Sequence, residues 1–204
     1  MRSPNTKSSW VEPLTLEGRA VRLEPLGGAH LEGLCEIGLD EALWRWTLGH
    51  VRTREDMRAY LEVALNGRTE GTTLPFAILA QPSGQVVGST RFGNIDRENR
   101  RVEIGWTWIG RRWQRTAVNT EIKYLMLRHA FETLGCVRVE FKTDTLNQTS
   151  RRAILRLGAK EEGILRRHMI TDGGRIRDTV YYSIIDGEWA AVKARLEAKL
   201  AAPA

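Results

Sequence analysis

Between Leu74 and Thr143 the spacing of apolar residues changes period twice, and that change limits the folds open to the chain. The segments Leu74 to Ala80, Val86 to Phe92 and Arg101 to Ile109 have the character of strands, separated by the turns Gln81-Pro-Ser-Gly84 and Asp96 to Asn99. Ile122, Leu125, Met126, His129, Ala130 and Leu134 then recur at three and four residues, marking one face of a helix that ends near Gly135. Val137 to Thr143 returns to strand spacing. Hairpins followed by a strand–helix–strand unit call for a mixed sheet, since hairpin strands run antiparallel and crossover strands parallel. Helices then cover both faces.

The flanks complete the order. Arg19-Ala-Val-Arg-Leu-Glu24 alternates as a half-buried strand and is ended by Pro25 and Gly27-Gly28. From Ala29 to Thr47 the residues Leu31, Leu34, Cys35, Leu39, Leu43 and Trp46 form a helical face, interrupted into two short helices. A third helix starts at the cap Thr53, with Asp56 three residues on, and stops at Gly67. Beyond Thr143 the sequence predicts a helix over Gln148 to Leu157 closed by Gly158, strands over Ala159 to Ile170 and Arg175 to Ile185 joined at Asp172-Gly-Gly174, and a last helix over Glu188 to Leu200. The sum is an α/β (mixed α+β) fold with a seven-stranded, mostly antiparallel sheet. A single domain is expected over 12–204, behind a flexible tail at 1–11.

Composition narrows the function classes. At 204 residues, 42% apolar and 27% charged, the chain has an ordinary globular balance. No stretch approaches the ~18 consecutive apolar residues of a membrane span. Met1 to Trp10 is polar and lacks the apolar core of a secretory signal, so a cytoplasmic protein with no membrane partner is expected. Cys35 and Cys136 stand far apart with no CxxC or histidine companions, which reads as two reduced thiols and no metal site. The net charge of +6 would suit nucleic acid, an acidic substrate or a cofactor with phosphates. The arginines are spread through the chain, and no RRM, KH or zinc-knuckle signature is present, so nucleic acid is not the expected partner. A basic RNA- or ribosome-associated binding module is the competing class.

Two places could carry chemistry. At Trp108-Ile-Gly-Arg-Arg-Trp-Gln-Arg-Thr-Ala-Val-Asn-Thr-Glu121 a strand feeds a loop and then a long helix, whose N-terminus favours a phosphate. Arg111, Arg112 and Arg115 add positive charge there, although they would also serve as a solvated surface, with Asn119 or Thr120 capping the helix. At Asp144-Thr-Leu-Asn147-Gln-Thr-Ser150-Arg151 a strand enters a helix with Asn147 as its cap, and capping alone would account for the pattern.

Read together, these places resemble one family. From Arg19 to Asp186 the sequence resembles the GNAT N-acetyltransferases, most nearly the Rim group that acetylates ribosomal-protein N-termini. The residues that carry the resemblance are Glu103-Ile-Gly-Trp106, Glu121, Ala130-Phe131, Arg138-Val-Glu140, Asn147-x-x-Ser150, Leu157-Gly158, Glu162-Gly163-x-Leu-Arg166, Gly174-x-x-x-Asp178 and Tyr182-Ser183. The resemblance implies a V-shaped splay between the parallel strands 101–109 and 137–143, with acetyl-CoA bound there as cosubstrate. The pantetheine arm would bond to the backbone of Trp108 and Ile109 and to Asn147. The pyrophosphate would meet the loop Gln114, Arg115, Thr116, Ala117, Val118, Asn119 and Thr120. This loop departs from the family signature, since Ala117 and Asn119 stand at its two small-residue places. Arg115 and Thr116 would compensate with charge and a hydroxyl.

An amine attacks the thioester directly in this family, so the site needs a base for the ammonium proton and an acid for the thiolate. Period two places Glu103, Gly105 and Thr107 on one face of their strand. Glu103 is the candidate base, directly or through water; a surface ion pair with an arginine is the alternative. Ser150 matches the family serine near the cofactor sulfur and is the candidate acid. His168 is a reserve base, although an alternating strand would also leave it solvated. His129 reads as a packed core histidine. Trp44 and Trp46 could line an acceptor pocket, though the tryptophans read mostly as packing. The acceptor, a ribosomal-protein N-terminus or a small amine, is left open by the sequence. So are a homodimer and a CoA-binding but non-catalytic protein.

Overall fold

The computed structural model of the chain, which describes residues 10–202, gathers eight strands into one sheet. They are β1 (Leu16–Glu17), β2 (Val21–Pro25), β3 (Leu74–Ala80), β4 (Val86–Asp96), β5 (Arg101–Ile109), β6 (Arg138–Asp144), β7 (Lys160–Ile170) and β8 (Ile176–Ile185). Their spatial order is β1-β2-β3-β4-β5-β6-β8-β7, and only β5 and β6 pair in parallel. The eighth strand, beyond the seven expected, is β1. At two residues it is too short to show a period, and it is held by pairing Leu16 with Leu23. Most of the expected tail lies outside the described residues, but its last two belong to the fold: Val11 is buried, and Trp10 packs on the core and donates its indole N–H to Leu134 O at 3.3 Å.

The helices are α1 (Leu31–Gly38), α2 (Arg54–Thr69), α3 (Ala117–Arg128), α4 (Gln148–Leu157) and α5 (Asp186–Ala201). The second short helix expected after α1 is a single 3-10 turn, Glu41–Leu43, capped by Asp40. Thr53 and Asp56 form a reciprocal capping box at the start of α2. Gly67 does not stop that helix. It makes room instead, since a Cβ there would stand 2.6 Å from Thr73 Oγ1, and Gly71 at φ 71° takes the left-handed turn that follows. In α4 both end signals act as read: Asn147 Oδ1 accepts from Ser150 N–H at 3.0 Å, and Gly158 closes the helix at φ 104°.

Two apolar cores sandwich the sheet. On one face Ile122, Leu125 and Met126 of α3 and Val192 and Leu196 of α5 pack on Phe76, Phe92, Val102, Val139, Phe141 and Tyr182. On the other, Leu34, Met57, Leu61 and Ala64 of α1 and α2 pack on Ala77, Leu79 and Trp108. Trp44 joins this second core, its ring 5.4 Å from Trp108 and 5.5 Å from Tyr60, so it is packing rather than pocket lining. Glu121, one of the family-matching residues, is a buried tie. Its carboxylate accepts the backbone N–H groups of Arg19, Ala20 and Val21 at 2.8, 2.6 and 2.8 Å, fixing the edge of the sheet to α3. Among the described residues no helix is long and apolar enough to cross a membrane.

Candidate active site

The parallel pair keeps register for three residues, Arg101 to Glu103 against Arg138 to Glu140. Past that point each strand follows its antiparallel neighbour. β5 stays with β4 as far as Gly88↔Ile109, and β6 stays with β8 as far as Asp144↔Thr179. Sheet twist then opens a gap between them. Gly110 donates its N–H to Val87 O at 2.9 Å, so by alternation Trp108 also turns its backbone toward β4, while Thr107 and Ile109 turn theirs toward the gap. Of these two residues, Ile109 therefore turns its backbone toward the gap and Trp108 toward β4.

At the mouth of the gap, Gln114 donates its amide to Ile109 O at 2.9 Å and pins the loop to the strand. Thr116, not Asn119 or Thr120, caps α3: its hydroxyl accepts from Val118 N–H at 3.3 Å and donates to Trp113 O at 2.7 Å. The cap thus lies three or four residues before the expected ones. Arg115 is exposed at φ 61°, a left-handed turn with a steric cost for any side chain. Ala117 is exposed in the first turn, Val118 is buried, and Asn119 and Thr120 are half-buried. Arg111 is already paired with Asp40, leaving Arg112 and Arg115 as the charges without a carboxylate partner here among the described residues. The loop borders a hollow of about 320 Å³ lined by Ala42, Leu43, Arg111, Gln114 and Arg115. Across the gap, the Asn147 oxygen is spent on capping, and its amide N–H groups remain. Ser150, half-buried, stands in the same first turn.

Glu103 lies where the two strands part. It is 1% exposed, accepts from Asn94 Nδ2 at 2.6 Å and pairs with Lys142 Nζ at 2.9 Å. Its partner is thus a lysine from β6, not the arginine considered from sequence. Burial pushes the Glu103 carboxyl above its usual range, and Lys142 and Asn94 pull part of that back. Gly105 leaves the space the carboxylate uses, since a Cβ there would stand 2.7 Å from Glu103 Oε1.

Thr107 is not on this face. Trp106 takes φ 50°, and the register slips between Ser89↔Trp108 and Arg91↔Gly105, so Trp106 and Thr107 together oppose Thr90 in a β-bulge. The bulge turns Thr107 to the α3 side, where its hydroxyl meets Lys123 Nζ and Thr90 Oγ1, each at 2.7 Å. It brings Trp106, 41% exposed, over Gly93 beside Glu103, and the ring is flanked by Lys142 at 5.6 Å and Arg91 at 5.8 Å. His168 is exposed on β7, its ring 5.9 Å from that of Tyr181. His129 is buried in the core beside Phe92. The sequence reading missed Asn94, Lys142 and Arg91, whose places depend on strand register. It also missed Lys123, which carried a signal: a lysine adjoining the apolar face Ile122, Leu125, Met126.

Known proteins share this fold. Residues 20–160 match the Acetyltransferase (GNAT) domain. The chain is 33% identical over 110 residues to YdaF of Bacillus subtilis (strain 168), provisionally named a ribosomal N-acetyltransferase. That match spans 54% of this chain and 59% of YdaF, so it covers well under two thirds of the relative. It is 30% identical over 121 residues to a protein of Bacillus licheniformis named "Uncharacterized N-acetyltransferase p20", covering 59% of this chain and 67% of that one. Among solved structures, a GCN5-related N-acetyltransferase from Brucella melitensis superposes with a TM-score of 0.87 at 35% identity, over 94% of this chain and 87% of that one. The match to the domain over residues 20–160, far more than half of the 204, places the chain in the GNAT acetyltransferase family.

Proposed function

We propose that the chain transfers an acetyl group from acetyl-CoA to a primary amine by direct attack on the thioester. The observation that carries this reading is the gap between β5 and β6, with a buried carboxylate at its apex and an arginine-bearing loop before a helix N-terminus at its mouth. The donor set fits acetyl-CoA. The backbone of Thr107 and Ile109 offers a strand edge to a pantetheine arm, Asn147 offers its amide, and the first turn of α3 with Arg112 and Arg115 offers N–H groups and charge to phosphates. Alanine at position 117 adds only an exposed methyl group, and Asn119 is turned partly inward, so neither closes the mouth.

The amine enters from the α1/α2 face, where Glu103 and Gly105 lie. Glu103 is too buried for wide contact, so it receives the ammonium proton through a water held beside Asn94. The free amine nitrogen bonds to the acetyl carbon, the tetrahedral adduct collapses, and the carbon–sulfur bond breaks. The nitrogen sheds its second proton to solvent as it becomes the amide, and the CoA thiolate takes a proton from Ser150, which regains one from solvent, or takes one from solvent directly. The acceptor is either a protein N-terminus, in keeping with the provisional name of YdaF, or a small amine.

Two measurements test this. Acetyl-CoA at about 100 times its dissociation constant stabilises a protein by ~2.7 kcal/mol, a clear rise in melting temperature. Addition of an accepted amine then releases free CoA thiol. No thermal shift and no thiol release across a broad amine panel would overturn the reading. The loop makes its own prediction. Arg115→Ala weakens acetyl-CoA binding roughly two- to fivefold, the worth of ~0.5–1 kcal/mol from one exposed charge, with the larger effect at low salt. Asn119→Gly leaves affinity intact in the same calorimetric titration. Unchanged affinity in Arg115→Ala would mean the loop charge does not compensate for the altered signature.

A further inference from the structure

Among the described residues, Arg91 is a buried cation without a counter-ion. It is 3% exposed, and among the described residues its Nε has no hydrogen-bond partner and its guanidinium makes one polar contact, a long 3.5 Å donation from Nη2 to Tyr60 O. No carboxylate among the described residues lies within 4.0 Å of it, although Lys142, on the other side of the Trp106 ring, is matched to Glu103. A guanidinium stays charged at any physiological pH, and burying one unpaired is costly. The rings of Tyr60 at 4.5 Å and Trp106 at 5.8 Å offset part of that cost. They do not supply the in-plane acceptors that a guanidinium fork is shaped for.

Its place in the sheet says what the missing acceptor belongs to. Arg91 pairs with Gly105 and stands two residues along β4 from Gly93, the partner of Glu103. Diagonal neighbours of this kind have side chains ~7–8 Å apart. One small molecule, or the first residues of a peptide, spans that distance. Of the two rings against Arg91, that of Trp106, on its left-handed backbone, is the one half in solvent.

We propose that Arg91 binds a carboxylate of the acceptor, so that the amine acetylated here belongs to a carboxylate-bearing molecule, a free amino acid or an acidic peptide. The acceptor's amine lies toward Glu103 and its carboxylate displaces the Trp106 edge to meet the Arg91 fork. This rests on the acetyltransferase reading and names the substrate class of that same site.

The test uses matched acceptors with the full-length protein: phenylalanine against phenylethylamine, aspartate against asparagine amide, and peptides beginning Ser-Glu-Glu against Ser-Lys-Lys. The wild type is expected to favour the carboxylate member of a pair by at least ~10-fold in kcat/KM, as sites built to bond a polar group do. Free amino acid against acidic peptide separates the two sources. Arg91→Lys and Arg91→Gln should raise KM for the acidic member and leave the neutral member nearly unchanged. Equal kcat/KM within every pair in the wild type would overturn the proposal, whatever the variants do. A binding arm needs no turnover: N-acetylphenylalanine and N-acetylphenylethylamine are titrated by calorimetry into protein saturated with CoA. Preference for the acid, lost in Arg91→Gln, supports the carboxylate site even if no acceptor is turned over. Equal binding of the two overturns it even if acetyl-CoA binds and amines are acetylated.

Discussion

Glu103→Gln is expected to lower turnover of an accepted amine by ~10²–10⁴-fold, the usual worth of a general base, with acetyl-CoA affinity nearly unchanged. Glutamine keeps the size of the side chain and one acceptor oxygen, so Asn94 retains its partner, but an amide takes no proton at neutral pH. Lys142 loses its counter-charge, which is the structural cost of the change. For that reason melting temperature and acetyl-CoA binding are measured beside kcat. Because burial raises the Glu103 carboxyl, the acid limb of the wild-type pH profile should lie above the ordinary glutamate range. In the variant that limb disappears. Part of the activity returns at high pH, where free amine is abundant in solution. Full activity at neutral pH in a folded variant would move the base elsewhere, and exposed His168 would be the next residue replaced.

Residues that act locally were legible from sequence, and residues placed by register were not. Strand β5 and helix α4 fall where their patterns put them, because alternation, an asparagine cap and a left-handed glycine are signals carried by the segment itself. The start of α3 was misplaced because capping is decided by the loop: Thr116 is held by Trp113 O and so reaches Val118 before Asn119 can serve. The face of Thr107 was misread because period two holds only in an unbroken strand. One tryptophan at φ 50° shifts every side chain after it, and nothing in the residue types announces a bulge. Glu103 could be named as a candidate, yet its partner Lys142 and the unpaired Arg91 follow from which residues face each other across β4, β5 and β6. Those pairings are tertiary facts, and the properties of the site depend on them.

Lys123 supports the largest prediction about stability. It sits on α3, 6% exposed, with its ammonium donating to Thr107 Oγ1 at 2.7 Å and no carboxylate within 4.0 Å among the described residues. Burial alone lowers it from 10.5 to about 7. In the unfolded chain the same lysine holds its proton to about pH 10.4. Between the two values the unfolded state binds more protons, so stability rises with pH across that window. Below about pH 7 both states are protonated and the whole penalty is present. The rise is at most ~1.4 kcal/mol per pH unit, which over the window amounts to roughly 3–4 kcal/mol. Lys123→Met removes the charge and keeps an unbranched side chain of similar length, while Thr107 retains its contact with Thr90. The variant is therefore expected to be more stable than the wild type by roughly 3 kcal/mol at pH 6–7, with the difference shrinking as pH approaches 10. Urea unfolding of both proteins at intervals from pH 6 to 10 checks this. Other groups that titrate in the range, such as the Cys136 thiol that burial raises to about 12, act alike in both proteins and cancel in the difference. Parallel stability curves would show that Lys123 is not neutralised on folding. A less stable variant at pH 7 would show that the amine contributes more through Thr107 than burial costs it.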